Sequence, residues 1–290
     1  MDYLERLAIS ADWQIIAQTS DKENVSDLID LYDDLNNSYE GYQSLIEDFA
    51  SVPPPSNYIA QKDLLVEYYE DAPANLKKVI RDRRNNHGLR ACPSCGSPYK
   101  PNTLDHFIPK HKWPEYSIYP NNLVPQCIGC APIKGKRYYC DETLSAIFIH
   151  PIYSDLLSKV RFGVVIEICN ETNSPKFTVK FWAGGLSGND LTRVRQHLKK
   201  IEIHARMQIF LRSEFDHWKR IVSVKGINIQ SAMVQRIRER VTEGDRPKEW
   251  KAAFCQAIID SPSAIQFFNS LSAPTPTAVI DLAECVEIVL

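Results

Sequence analysis

The chain reads as mainly α-helical, with a small ββα metal module set into its centre and one β-hairpin after it, an α+β arrangement. Three observations predict this. Apolar residues recur at helical spacing along most of the 290 residues, two Cys-x-x-Cys pairs bracket a central segment, and two β-rich runs, 164–169 and 177–182, flank the turn-forming stretch 170–175.

Taken in order, residues 3–50 predict amphipathic helices. Val25, Leu28, Ile29, Leu31, Tyr32 and Leu35 fall on one face, and twelve acids against two bases, Arg6 and Lys22, load the other over residues 1–50. The prolines at 53, 54 and 55 cannot continue a helix, so 51–56 reads as a stiff linker. Another helix is expected over 60–69. A basic one follows from about Pro73, which suits a first turn, to Asn86, where His87-Gly88 ends it. Between 76 and 90 there are six bases against Asp82 alone. After the hairpin, 190–221 predicts a long helical stretch capped by Asn189 and Asp190, and 193–220 holds eight bases against three acids. Helices near 233–241 and 248–259 precede a tail rich in Ser, Pro and Thr. The division expected is 1–56, an acidic helical partner-docking region with its linker; 57–160, the basic helix and metal module; and 161–290, the hairpin and a helical C-terminal region.

Composition sets the broad class. With 44% hydrophobic and 24% charged residues and a formal net charge of -2, the chain is that of a globular protein with an ordinary core. No run of eighteen apolar residues predicts a membrane span, and the first residues lack the basic-then-apolar order of a secretory signal, so a cytoplasmic protein is expected. The near-neutral total hides local basic blocks that favour a nucleic-acid partner.

Four of the eight cysteines fall in the pairs Cys92/Cys95 and Cys127/Cys130, with 31 residues between the pairs. Four thiolates can fill a tetrahedral Zn²⁺, leaving no site for water, so a structural Zn²⁺ that pins two knuckles of a thin module is expected. Cys140, Cys169, Cys255 and Cys285 stand among apolar neighbours and are expected to be buried free thiols.

Between the knuckles lie Asp105-His106-Phe-Ile-Pro109 and Asn122-Leu123-Val-Pro, and after the second knuckle Ala131-x-x-Lys134-Gly135. In that order these residues resemble the zinc-knuckle HNH (His-Me finger) endonucleases over about 45 residues. The resemblance implies a metal-dependent hydrolase of phosphodiesters. His106 would be its general base, with an imidazole whose pKa suits neutral pH. Asn122 would hold that imidazole through its amide, and Asp105 would ligate a catalytic Mg²⁺ or Mn²⁺. Lys134 would contact a substrate phosphate, with Lys110, Lys112, Lys136 and Arg137 as further nucleic-acid contacts. Asp105 and His106 are adjacent and can share one site if the strand ends or bulges there. The family pattern has Asn or His after the second knuckle as the other ligand of the catalytic metal. Ala131 has no donor atom, so turnover is expected to be weak or absent. His111 and His150 lie off the family position, and His150, in its apolar setting, reads as a packed structural residue.

Trp113, Tyr116 and Tyr119 are expected to pack the loop they stand on. The basic helices around Arg81 and Arg195 either extend a phosphate-tracking groove or present solvated faces. The run 113–125 is similar to HNH proteins that accompany an ATPase in anti-phage systems of the Septu type. That likeness implies double-stranded DNA as substrate and a protein partner, an ATPase, for which the acidic N-terminal helices would be a docking surface. The alternative is a zinc-dependent nucleic-acid-binding module without catalysis.

Overall fold

Helix is the dominant element of the computed structural model, which describes residues 1, 4, 12–169, 171–239 and 246–271. Three short helices come first: α1 (Asp12–Gln18), α2 (Val25–Asp30) and α3 (Tyr32–Glu47). They are followed by α4 (Lys62–Glu70) and α5 (Ala74–Asn85), the basic helix, which starts after Pro73. The centre is a hairpin and a short helix. β1 (Thr103–His106) pairs antiparallel with β2 (Leu123–Gln126), His106 opposite Leu123, and α6 (Ala131–Lys134) follows. A two-residue pair, β3 (Tyr139–Cys140) with β4 (Ser145–Ala146), leads to the long hairpin β5 (Val160–Cys169) and β6 (Ser174–Ala183). The helices α7 (Gly188–Lys200), α8 (Ile203–Lys225), α9 (Ile229–Arg238), α10 (Trp250–Ile259) and α11 (Pro262–Asn269) complete the described chain. The fold is mainly helical with small antiparallel sheets, an α+β mix. No helix among the described residues is long and apolar enough to cross a membrane.

The chain clusters into two compact units that interleave along the sequence. The first is Met1–Phe162, Lys180–Met207 and Arg246–Ala253; the second is Gly163–Val179, Gln208–Asp245 and Phe254–Leu290. This departs from the expected division at 56 and 160. The acidic helices, the proline stretch and the cysteine module belong to one unit: α1 packs on α5 and α2, and α3 packs on the turn at 114–116. In the second unit, Phe215 packs on Phe267 and Phe268, and the Ser261 hydroxyl donates to the Ile166 carbonyl.

The packing of α3 explains the grouping. Tyr39 stacks on Tyr119 at 4.3 Å between ring centres, and Tyr42 meets Tyr116 and Tyr119 edge-on at 4.9 and 5.0 Å. All four rings are buried. The acidic side chains Asp27, Asp30, Asp33, Asp34 and Glu40 stay on the outer, exposed face. The prolines do not form a free linker either. The Trp113 indole N–H must find an acceptor and donates to the Pro54 carbonyl at 2.9 Å, while the Ser56 hydroxyl donates to the Glu115 carboxylate at 2.6 Å.

Two further expectations are corrected. The stretch 190–221 is broken rather than continuous. Glu202 takes a left-handed backbone, φ +56°, between α7 and α8, and the reversal buries Ile201 and Ile203 on both sides of the break. Of the outlying cysteines, Cys255 is buried, Cys140 is half-buried and Cys169 is exposed at the end of β5. Cys285 and the Ser/Pro/Thr tail lie outside the described residues.

Two histidines in the first unit are buried and neutral. His197 Nδ1 accepts the Ile149 N–H and its Nε2 donates to the Ser94 carbonyl, so both nitrogens are used by backbone. Burial first of all holds its pKa down at about 4. His150 is likewise held well below the ordinary histidine value, again chiefly by burial. The unfolded chain takes up these protons near pH 6.5, whereas the folded chain refuses them until well below that. Stability is therefore complete above about pH 6.5 and falls as pH drops toward 4, by about 1.4 kcal/mol per pH unit per histidine. Urea midpoints measured from pH 7.5 to 5.0 will decline along the acid half of that range. Midpoints that do not move would show that the two rings are protonated in the folded protein.

Candidate functional site

Two knuckles build the first part of the site. At the first, Gly96 donates its N–H to the Cys92 carbonyl at 2.8 Å in a turn that needs φ +71° there; a Cβ at this position would also press on the Phe162 ring at 2.7 Å. At the second, the Cys130 and Ala131 N–H groups both reach the Cys127 carbonyl, at 2.9 and 3.3 Å. The knuckles face each other with all four sulfurs buried and within 4.8 Å of one another. Cys92 Sγ to Cys130 Sγ and Cys95 Sγ to Cys127 Sγ are each 3.8 Å, far longer than a disulfide bond. A ZnS₄ tetrahedron with bonds of about 2.3 Å has edges of about 3.8 Å. The cluster is thus compatible with a zinc ion, and its four thiols titrate as a set. Cys127 is held far below the ordinary thiol range by hydrogen bonds from Cys130, Cys92 and Cys95, while burial pushes Cys95 up.

Sequence reasoning missed the group that answers the charge of this cluster. The Arg206 guanidinium, in the first turn of α8, donates to Cys130, Cys127 and Cys95 Sγ at 3.3, 3.5 and 3.7 Å. The same group reaches the Ile201 carbonyl at 3.2 Å, so the break at Glu202 is what aims it. The Trp250 indole donates to the Cys95 carbonyl at 2.7 Å and lies beneath the guanidinium. Nothing local in the sequence links positions 206 and 250 to cysteines more than 70 residues away.

The second part sits where β1 ends. His106 is the last residue of that strand, which lets the adjacent Asp105 and His106 serve one locus. The His106 Nε2 lies 2.9 Å from the Ser117 carbonyl, which can only accept, so Nε2 carries the proton and Nδ1 the lone pair. Burial, then the charge of Lys110, lowers its pKa to about 3. The ring is packed edge-on against Tyr69 at 4.3 Å. Asn122 does not hold the imidazole as expected. Its amide is fully buried, donates to the Ile108 and Tyr116 carbonyls and accepts from the Ile108 N–H at 2.7 Å and the Tyr42 hydroxyl at 2.8 Å. It therefore clamps the loop 107–122, and through that loop it places Ser117 against His106. His150 completes the chain behind it. Its Nδ1 accepts the Ile152 N–H, so its Nε2 donates to Tyr42, and neither nitrogen is free to serve as a ligand.

Lys134 also differs from expectation. Only 1% of its side chain is exposed, and its ammonium lies 2.9 Å from Asp105 Oδ2 and 2.8 Å from the His106 carbonyl oxygen. Helix α6 is one turn long and aims this lysine inward, so it cannot reach an incoming phosphate. Asp105 is almost wholly buried, and burial raises its pKa while the charge of Lys134 opposes the rise. Ala131 stands one turn before Lys134 on the same helix and offers no donor. Of the other expected contacts, Lys110 is committed to Glu70 at 3.0 Å and to the face of Tyr69. Arg137 bonds back to the Ile133 and Lys134 carbonyls. Lys112 and Lys136 are exposed, and His111 is half-buried beside Lys136 and Lys110. Among the described residues, the four cysteines are the one group of three or more potential His, Cys, Asp or Glu ligands.

Comparison with known proteins gives one relation. The chain is 26% identical to protein ea31 of Escherichia phage lambda over 188 residues, covering 59% of this chain and 62% of that protein. It thus spans less than two thirds of that relative. No family model matches the chain, and no solved structure matches it.

Elemental analysis of the purified protein is expected to find one zinc ion per chain, and Cys92→Ser to lose both the ion and the folded module. Arg206→Met should keep the fold yet weaken zinc about 10- to 100-fold in competition with a chromophoric chelator, the usual cost of removing a group behind the ligands. Undiminished retention by that variant would remove the role assigned to Arg206.

Proposed function

We propose that this chain is a zinc-stapled HNH (His-Me finger) module that hydrolyses phosphodiester bonds of nucleic acid, with duplex DNA as substrate and with His106 as general base. The observation that carries the reading is the orientation of His106 at the end of β1. A backbone carbonyl holds Nε2–H, and burial keeps the ring neutral. A neutral imidazole so held can take at Nδ1 the proton of a water whose oxygen attacks phosphorus, as the bond to the leaving oxygen breaks and solvent protonates that oxygen. Asn122 is a positioning residue in this scheme, acting through the Ser117 carbonyl.

The donors for a divalent cation are few. Asp105 supplies one carboxylate, whose Oδ2 lies near Lys134 without a well-directed hydrogen bond, and Ala131 supplies nothing. This set fits Mg²⁺ or Mn²⁺ in the form that keeps most of its water and takes its other oxygens from substrate phosphate; bound at Asp105, such an ion would offset the negative charge of the phosphate. It does not fit a cation held by protein groups alone. The same facts favour a second reading, a nucleic-acid-binding module whose catalysis has been lost, because the Lys134 ammonium already balances Asp105.

The two readings divide on one substitution. Ala131→Asn, adding a donor beside Asp105, should raise Mg²⁺- or Mn²⁺-dependent cleavage of a duplex substrate, and a further His106→Ala should then reduce it by about 10²–10⁴-fold. Binding without any cleavage by the Ala131→Asn protein selects the second reading; neither binding nor cleavage defeats both.

The outer face of α2 and α3 suits a protein partner rather than nucleic acid, since exposed Asp27, Asp30, Asp33, Asp34 and Glu40 repel phosphate. A basic surface, on an ATPase as the resemblance implies, is the expected partner. Because the inner face of α3 is core, the test must change its outer face and leave the helix in place. Asp→Asn changes at 27, 30, 33 and 34 should abolish co-purification of the partner from the native host while leaving zinc content unchanged. Co-purification that persists would exclude docking through this face.

A further inference from the structure

Helix α5 carries two working faces. Leu76 and Ile80 bury one of them, and the Arg83 Nε on that side donates to the Leu123 carbonyl at 3.3 Å, which docks the helix on the strand opposite His106. Lys77, Arg81 and Arg84, spaced four and three residues apart, lie together on another face. They line a pocket of about 220 Å³ with Tyr69, Glu70, Ala72 and Ile80.

The charge around this pocket is unbalanced. The neighbouring carboxylates on and after α4 are already answered elsewhere. Glu67 and Asp71 pair with Lys22 at 2.5 and 3.1 Å, and Glu70 pairs with Lys110 at 3.0 Å. Asp82, on an adjacent face of α5, is hydrogen-bonded by the Asn86 amide. Lys77, Arg81 and Arg84 have no carboxylate partner among the described residues; the charge of Arg84 sits beside the Tyr69 hydroxyl. Three cations against the single carboxylate of Glu70, with Arg84 hydrogen-bonded only to the neutral Tyr69 hydroxyl, raise the local potential for an anion in this concavity above that of a flat basic face.

Tyr69 ties the pocket to the site. Its ring forms one wall of the pocket and is also the ring packed against the His106 imidazole at 4.3 Å. We propose that the Lys77–Arg81–Arg84 pocket seats a backbone phosphate of the nucleic acid adjoining the phosphodiester presented to His106. Such a seat fixes the strand's position without reading its sequence, as phosphate contacts do. It supplies the cationic contact that Lys134, being buried, cannot. The inference rests on the nucleic-acid reading given above and adds where the backbone is gripped.

The test is the salt dependence of binding, measured with a fluorescein-labelled 20-base-pair duplex and the full chain. Each backbone phosphate neutralised contributes about 0.9 to the slope of log K against log salt. Lys77→Gln with Arg81→Gln, both exposed, should lower that slope by about 1, the share of one phosphate, and weaken binding to all sequences alike. Adding Arg84→Gln should weaken binding further with little additional change in slope. Lys225→Gln with Arg238→Gln removes the same charge from exposed positions elsewhere, and should leave the slope unchanged. Zinc content and circular dichroism report that each variant is folded. An equal fall in both double variants would reduce the effect to bulk charge and overturn the pocket. Parent-like binding by the Lys77/Arg81 variant would overturn it too, while leaving the nuclease reading intact. A parent chain that binds no duplex would defeat the nucleic-acid reading and the pocket with it.

Discussion

Four sulfur atoms must meet in one small volume, and much of the first unit is arranged so that they can. The knuckles are separated by 31 residues, so the chain has to leave the first, run out along β1, cross a long loop, return on β2 and turn into α6. A β-hairpin is the shortest regular path that brings the ends of such an excursion together. On its own it would be marginal, since two strands of four residues bury little. A zinc ion bound by the four sulfurs only in the folded state would supply what the small core cannot. Burying four thiolates has its own electrostatic cost, and Arg206 lowers it, with the Trp250 indole fixing the Cys95 carbonyl behind it. The break between α7 and α8 is a consequence of that requirement as much as of packing.

The loop between the strands depends on a different device. Sixteen residues, 107–122, contain only two short turns of helix and would be mobile without internal anchors. One buried amide organises them: Asn122 satisfies both its donors and its acceptor on Ile108, Tyr116 and Tyr42. An unpaired amide there would cost about 1–3 kcal/mol, so the loop has one arrangement in which the group is satisfied. The orientation of His106 follows from that arrangement, because its partner is the Ser117 carbonyl on the same loop. In this way α3, through Tyr42, reaches the imidazole without touching it.

How much of this was legible depended on distance along the chain. Cys-x-x-Cys is a local pattern whose chemistry is carried by neighbours a few residues away, and the metal cluster was read from sequence alone; the proline stretch was legible as a helix break, but its ties to Trp113 and Glu115 were not. That the strand ends at His106 was only a condition in the sequence, a bulge being the other way for Asp105 and His106 to share one site. What was not legible came from residues brought together by folding. Arg206 was one base among eight in a helical stretch, and nothing local distinguished the one that faces sulfur. The acidic face of α2 and α3 was visible, whereas the fact that the opposite face is the core of the loop was not, because Tyr39 and Tyr42 look like any amphipathic pair until Tyr116 and Tyr119 are placed against them. Lys134 was misread for a geometric reason: a motif gives the residue and its spacing, but a single helical turn decides whether the side chain points out to a phosphate or back to Asp105.

That inward lysine bears on the alanine beside it. A carboxylate enclosed as tightly as Asp105 needs a positive charge nearby or must take up a proton, since burial disfavours its ionised form. Where two protein ligands hold a divalent ion, the ion supplies that charge. Alanine at 131 offers no donor, and the ammonium of Lys134, 2.9 Å from Oδ2, supplies that charge from within the chain. The charge is weaker by half and is tethered by a side chain, so it stabilises the carboxylate without offering open coordination positions to a phosphate. The electrostatic requirement of the fold is thus met by Lys134 alone; under the proposed nuclease reading, the charge that the chemistry needs would have to come from a cation brought with the substrate.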